Sequence, residues 1–444
     1  MFGAERKVIK FSILCLSFLL SLMHLLHYNS LTVTKKLHNE KEEEGLQKIL
    51  NDTNGTEMQQ ITEMDIYTKL GIPMEVLQDL PYISQIDNDM KPFSSGITLD
   101  MVKRAHEIGC AIRLQYINMT LYSYLILEID RAPYGYDMCN GRANSFTTLI
   151  KRVVDRFPLL PDFDIVVNSL DNCRICNMDG NTMAYNYFGD SGMFWPPVWE
   201  NIPIFSFQKL DGCIDILIPA AIVGLGSVDY DNDVQHISDV SKNYHWSNKQ
   251  DRLIWRGSGT GGLWTNTNLD SKARYRIFIE CERDELKDIC DVGMSGLFQT
   301  LPGEVISNEK LPIKGNIAFD DWMSYKYELV LDGNGSPAGR IDRQLKHNSL
   351  VLMQETAAHQ MYTKYLRPYV HYVPLNNNVS DLSDAYHWAK ENEDTVLQIV
   401  ENANKFAEYL KMEPVLAYTG VLLFKYSELQ SFVPQLESGY IVVG

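Results

Sequence analysis

The stretch from Tyr325 to Pro374 constrains the fold more tightly than any other part of the chain. It reads YKYELVLDGNGSPAGRIDRQLKHNSLVLMQE and, after a short gap, YLRPYVHYVP. Tyr327 to Leu331 is a β-rich apolar run that stops at the turn residues Asp332-Gly333-Asn334-Gly335. Arg340 to Lys346 then has helical spacing, with Ile341 and Leu345 on one face; Ser349 to Met353 and Tyr369 to Val373 read as second and third strands. Strand, glycine turn, helix, strand is the pattern of a parallel α/β sheet. Ligands of such sheets settle where strands end and helices begin, because unpaired N–H groups and the helix dipole attract anions. Arg340, just inside the predicted helix, adds a bidentate phosphate partner. The stretch predicts a cradle for a nucleotide diphosphate, although Asp-Gly-Asn-Gly is equally a plain turn signal. The P-loop pattern is absent, and GNGSPAG lacks the GxGxxG spacing.

At 444 residues the chain has room for two α/β domains of ordinary size. Its 45% hydrophobic and 22% charged content is globular. A net charge of −17 argues against a nucleic-acid partner, since there is no basic surplus to neutralise a phosphate backbone. A diphosphate ligand would need a local basic site inside an acidic protein.

The N-terminus carries Arg6, Lys7 and Lys10, and Phe11 to Leu26 is almost wholly apolar, ~24 Å as a helix. That is short for a bilayer span. The basic flank and the lack of a small-residue cleavage pattern predict a cytoplasmic tail at 1–10 and an uncleaved signal anchor at 11–29 rather than a signal peptide. Residues 30–65 are polar and read as a stem. Acceptor sequons at Asn51, Asn54, Asn118 and Asn378 agree with a lumenal domain beyond it, in the Golgi or endoplasmic reticulum. Asn334-Gly-Ser also matches the sequon, but a glycan there would block the cradle. Apart from Cys15 there are seven cysteines, so at least one stays unpaired within a monomer. Cys173-Arg-Ile-Cys176 has no companion CxxC, which argues for a disulfide role rather than zinc.

A first domain is expected at 66–240. Thr98 should cap a helix through His106, Cys110–Ile117 and Leu121–Ile129 should pair as a hairpin, and Ser145 should cap a helix over Phe146–Phe157. Asp164–Asn168 reads as a buried parallel strand with Asp171 at its mouth. Ile202–Phe207 and Ile214–Ile218 are further strands. A second domain is expected at 241–410. There Leu253–Trp255 is a short strand feeding a flexible glycine loop, Arg256–Gly262, and Lys272–Glu280 reads as a helix. Asp381–Ala389 and Asp394–Leu410 are amphipathic. The tail at 411–444 has no readable pattern.

YKYELVLDGNGSPAGR, SLVLMQE and LRPYVHYVPL followed by DLSDAYHWAKEN resemble the signature of glycosyltransferase family 90, which includes protein O-glucosyltransferases and capsule-associated xylosyltransferases. WRGSGTGG (Trp255–Gly262), IPIFSF (Ile202–Phe207) and LPDFDIVVNSLD (Leu160–Asp171) extend the resemblance across roughly residues 65–410. It implies two Rossmann-like domains facing a cleft, the GT-B arrangement. It also implies inverting transfer of glucose or xylose from a UDP-sugar to a hydroxyl of a protein or glycan. No tightly bound cofactor and no metal are expected.

By this resemblance Asp171, closing Asn168-Ser-Leu-Asp171, is the general base, although Leu170 stands where the family has arginine. The alternative is an aspartate that merely caps the next element. Ser258 and Arg274 match the family's diphosphate ligands, with Arg276 a competitor for the second place. Asn334, Gly335, Ser336, Pro337, Ala338 and Arg340 supply the glycine-turn shelf. Arg256 is equally well read as a structural ion-pair residue, and His371 as a packing residue. Two other readings stay open: a metal-dependent transferase using Asp229-Tyr-Asp231-Asn-Asp233 or Asp320-Asp321, and a non-catalytic lumenal protein that binds sugar or nucleotide. Acceptor choice is expected in loops around Tyr134–Arg142 and Asp179–Pro197.

Overall fold

A computed structural model describes residues 63–444 apart from positions 74, 77–79, 109–110, 126–135, 172, 177–197, 221–229, 301–302, 308 and 338. The expected anchor, nearly all of the stem, the Asp179–Pro197 loop, Asp229 and Ala338 therefore lie outside the described residues. Among those described, no helix is long and apolar enough to cross a membrane.

The described strands are β1 (Ala111–Ile117), β2 (Thr120–Leu125), β3 (Phe163–Asn168), β4 (Phe205–Ser206), β5 (Lys209–Leu210), β6 (Ile216–Leu217), β7 (Gln250–Gly259), β8 (Cys290–Leu297), β9 (Tyr325–Val330), β10 (Leu350–Gln354), β11 (Ala358–His359), β12 (Val373–Leu375) and β13 (Ile441–Val442). They form one six-stranded sheet in the order β13-β2-β1-β3-β4-β6, one five-stranded sheet in the order β12-β10-β9-β7-β8, and a small β11-β5 pair.

The six-stranded sheet is mixed. The hairpin β1–β2 forms as the alternation predicts, and β1 runs antiparallel to β3. β3 in turn is parallel to β4, and β4 to β6. The five-stranded sheet is wholly parallel. Its central strands are buried on both faces, which is why β9 and β10 read as continuous apolar runs. Counted from β7, its strand order is 2-1-3-4-5. That order reverses direction between β7 and β9, and the crevice beyond their carboxyl ends is the expected ligand position in an open α/β sheet.

Several local expectations shift. The helix expected from Ser145 begins at Tyr136 and runs to Arg156, so Ser145 sits inside it. The glycine loop expected from Arg256 is strand as far as Gly259. A Cβ on Gly257 would fall 2.6 Å from the Trp255 ring and one on Gly259 2.3 Å from Leu297, so these glycines serve close packing within a strand. The third strand expected at Tyr369–Val373 lies at Val373–Leu375 instead; Tyr369 has φ +57°, which a strand interior does not adopt. The uninterpreted tail holds a helix, Met412–Leu429, buried from Val415 through Phe424. It packs on the six-stranded sheet: Tyr426 donates to the Asp164 carbonyl and Tyr418 to that of Leu217.

Candidate active site

Asp171 is delivered by a short turn at the end of β3. The Asn168 side chain accepts from the Leu170 N–H at 3.0 Å and donates to Ser206 Oγ at 3.1 Å, which ties the turn to β4. Ser206 donates to the fully buried Asp215, whose carboxylate also accepts the N–H groups of Arg174 and Ile175. Burial raises the Asp215 pKa, and these hydrogen bonds pull it back. The turn is thus built on a satisfied polar hub, and Leu170 is buried beside it.

From the other side, the loop after β9 is positioned by Arg274 at the start of the helix Ala273–Cys281. Its guanidinium donates to the carbonyls of Ser258, Leu331 and Asp332 and to Thr260 Oγ1. It clasps the ends of β7 and β9 together at the switch point. A Cβ on Gly333 would sit 2.4 Å from that guanidinium, so only glycine fits there. Gly261 N–H and Gln299 donate to Asn334 Oδ1, which fixes the Asn334 side chain.

These two assemblies meet. Asn334 Nδ2 donates to Asp171 Oδ2 at 3.2 Å, and Arg142 pairs with Asp171 Oδ1 at 2.7 Å. Asp171 remains 28% exposed, so the ion pair is not closed. Asp171, Ser258, Arg274, Asn334, Gly335, Ser336, Pro337 and Arg340 all line one cleft of about 260 Å³. Ala338 lies outside the described residues. Arg142, Arg274 and Arg340 face a single carboxylate, so the cleft is locally basic within a chain of net charge −17.

Other candidates resolve as follows. Arg340 donates to the Arg256 carbonyl and lies over the Trp322 ring; burial lowers its pKa, and Glu328 partly offsets that. The helix it precedes is a single turn, Ile341–Gln344, shorter than the spacing predicts. Its dipole is correspondingly weak. The backbone N–H groups of Asn334, Gly335 and Ser336 have no acceptor among the described residues. Ser258 Oγ lies 3.4 Å from Ser295 Oγ. Arg276 donates to the Asp270 carbonyl and does not line the cleft. Arg256 is held by Asp291 at 2.6 Å, an ion pair. Asp320 pairs with His236. His371 accepts from the Arg367 N–H and packs against Phe406.

Cys176 bonds Cys213 rather than Cys173, which is buried and without a disulfide; Cys281 bonds Cys290. Sequence reasoning missed Arg142 and Gln208. Arg142 falls in the stretch expected as a loop, whereas the helix begins at Tyr136. Gln208, just past β4, carries no motif of its own.

A parallel sheet whose switch point faces a carboxylate across a basic cleft is the arrangement of an α/β site suited to an anionic ligand. Comparison with known proteins is consistent with that. The family model described as glycosyl transferase family 90 matches residues 80–444. The chain belongs to that family of glycosyltransferases. It is similar to human protein O-glucosyltransferase 3 (28% identical over 200 residues, 45% of this chain and 36% of that protein). It is also similar to protein O-glucosyltransferase 3 of Rattus norvegicus (29% over 243 residues, 54% and 44%). Bovine protein O-glucosyltransferase 1 is 23% identical over 373 residues, 81% of this chain and 83% of that protein. The chain spans under half the length of the type 2 and type 3 relatives it matches.

Proposed function

We propose that this protein is an inverting glycosyltransferase that moves glucose or xylose from a UDP-sugar to a hydroxyl of an acceptor. Asp171 is the general base, and the Asn334–Arg340 shelf with Ser258 and Arg274 holds the diphosphate. The observation that carries the reading is the meeting of Asp171 with Asn334 across one basic cleft. In this reading the two sheets belong to two Rossmann-like domains in the GT-B arrangement, at about 66–240 and 241–410. The names of the relatives favour a protein as acceptor. Two disulfides among the described residues suit an oxidising secretory compartment, with residues 11–29 as the anchor.

The chemistry follows from the placement. The acceptor oxygen attacks the anomeric carbon on the face opposite the diphosphate, and its proton passes to the Asp171 carboxylate. The anomeric C–O bond breaks, and its electron pair leaves on the β-phosphate oxygen. N–H groups of Asn334 to Ser336 and the guanidinium group of Arg340 stabilise that charge directly, and the clasping Arg274 guanidinium adds its positive charge from within the cleft wall. Arg142 and Asn334 each hold one carboxylate oxygen, which orients the base while leaving lone pairs for the incoming hydroxyl.

The test is UDP release by the full-length protein from UDP-glucose and UDP-xylose, with and without a chelator and with the product's anomeric configuration determined. Release that survives chelation, with inversion, is expected. Release abolished by chelation would transfer the protein to the metal-dependent class. No release, together with no thermal shift by millimolar UDP, would make it a non-catalytic protein.

A further inference from the structure

Gln208 lies one residue beyond the buried Phe207 and is itself only 4% exposed, yet it lines the cleft. Its amide is half used. Nε2 donates to the Asp171 carbonyl and approaches the Asn334 carbonyl at 3.5 Å, so it touches both halves of the site. Oε1 is buried and has no partner among the described residues. The amide orientation follows from its surroundings: turning it over would set Oε1 against two carbonyl oxygens. Among the cleft-lining residues described, this is the buried side-chain acceptor left without a donor. Buried polar atoms are normally satisfied, and in a residue that lines a ligand cleft a ligand group can supply the missing donor.

We propose that Gln208 Oε1 accepts a hydrogen bond from a ring hydroxyl of the donor sugar, which makes Gln208 a specificity residue for the donor. The inference rests on the transferase reading above. The donor sugar is preferred over the acceptor because of Gly335. Gly335 has φ +151°, and a Cβ there would fall 2.1 Å from Gln208 Nε2. The shelf backbone therefore comes directly up to Gln208. A diphosphate on the N–H groups of that shelf carries its sugar as the next bonded group, beside Oε1 and on the way to Asp171. A hydroxyl is the fitting donor: it is neutral, it has one proton to give, and a site built to bond it discriminates against analogues that lack it.

The experiment compares full-length wild type and Gln208→Met on a series of monodeoxy UDP-sugars, with kcat and KM for donor and acceptor measured separately. Wild type should lose on the order of 10-fold or more in kcat/KM on one deoxy donor relative to the parent. Gln208→Met should lose a similar factor on the parent and nothing further on that deoxy donor, with its UDP thermal shift retained. If the variant keeps the wild-type pattern of losses, Gln208 is only a clasp between the two halves and the proposal is overturned. A rise confined to acceptor KM would assign the hydroxyl to the acceptor and likewise overturn it. Wild type that uses every deoxy donor as well as the parent overturns it without reference to any variant. Wild type that turns over no UDP-sugar removes the transferase reading itself, and this inference with it.

Discussion

Asp171 and Asn334 come from different sheets and 163 positions apart, yet they share a hydrogen bond. Around them glycine is used where backbone must approach side chain. Gly335→Ala is expected to push Gln208 off the Asp171 and Asn334 carbonyls and lower kcat by roughly 100-fold, since a small displacement at a reacting centre is costly. The check is steady-state turnover alongside a thermal midpoint; full activity would mean that the Gln208 clasp is dispensable. Arg256 makes a second residue-scale prediction. Burial raises the Asp291 carboxyl, but the hydrogen bonds from Arg256 and Tyr325 outweigh it and bring it down to about 2. Because the folded value lies below the unfolded value of ~4, Asp291 contributes stability above pH ~4 that is lost as pH falls towards 2. Asp291→Asn leaves Arg256 largely buried without its charge partner and should cost about 3 kcal/mol in urea unfolding at pH 7, with a flatter acid limb. An unchanged midpoint would show the pair to be neutral.

The elements that could be read in advance had a period or a cap. Thr98 accepts the Met101 N–H and starts its helix as expected. β9 and β10 were legible because a doubly buried parallel strand is a continuous apolar run. The helix Met412–Leu429 was not legible because it is buried nearly all round, which erases the amphipathic period. The first turns of the helix from Tyr136 carry no clear helical signal, because Asn140, Gly141 and Asn144 are poor helix formers, and Arg142 lies among them. Of the site, the Asp171 turn and the Asn334–Arg340 shelf were visible through their motifs; the residues that join them were not, because contact across a cleft leaves no local spacing. Gly420 gives the element-scale test. A helical Gly→Ala change ordinarily gains about 1 kcal/mol. Here the new Cβ would lie 2.8 Å from the Phe157 ring, and overpacking of about 1–3 kcal/mol should dominate. Gly420→Ala is therefore expected to lower the thermal midpoint, and a rise would show that Phe157 yields freely.

At the scale of the whole molecule, an acidic chain concentrates three guanidinium groups in one crevice, with a row of N–H groups that have no acceptor among the described residues. The parallel sheet contributes its switch point, the mixed sheet contributes the carboxylate, and the C-terminal helix returns to brace the mixed sheet. The account depends on Asp171 taking a proton in that crevice. Its most direct test is UDP-sugar turnover by the full-length protein, wild type against Asp171→Asn, with UDP binding followed by thermal shift. The account predicts a fall in kcat of roughly 10²–10⁴-fold with the UDP shift preserved. Unchanged turnover in the Asn variant would contradict it.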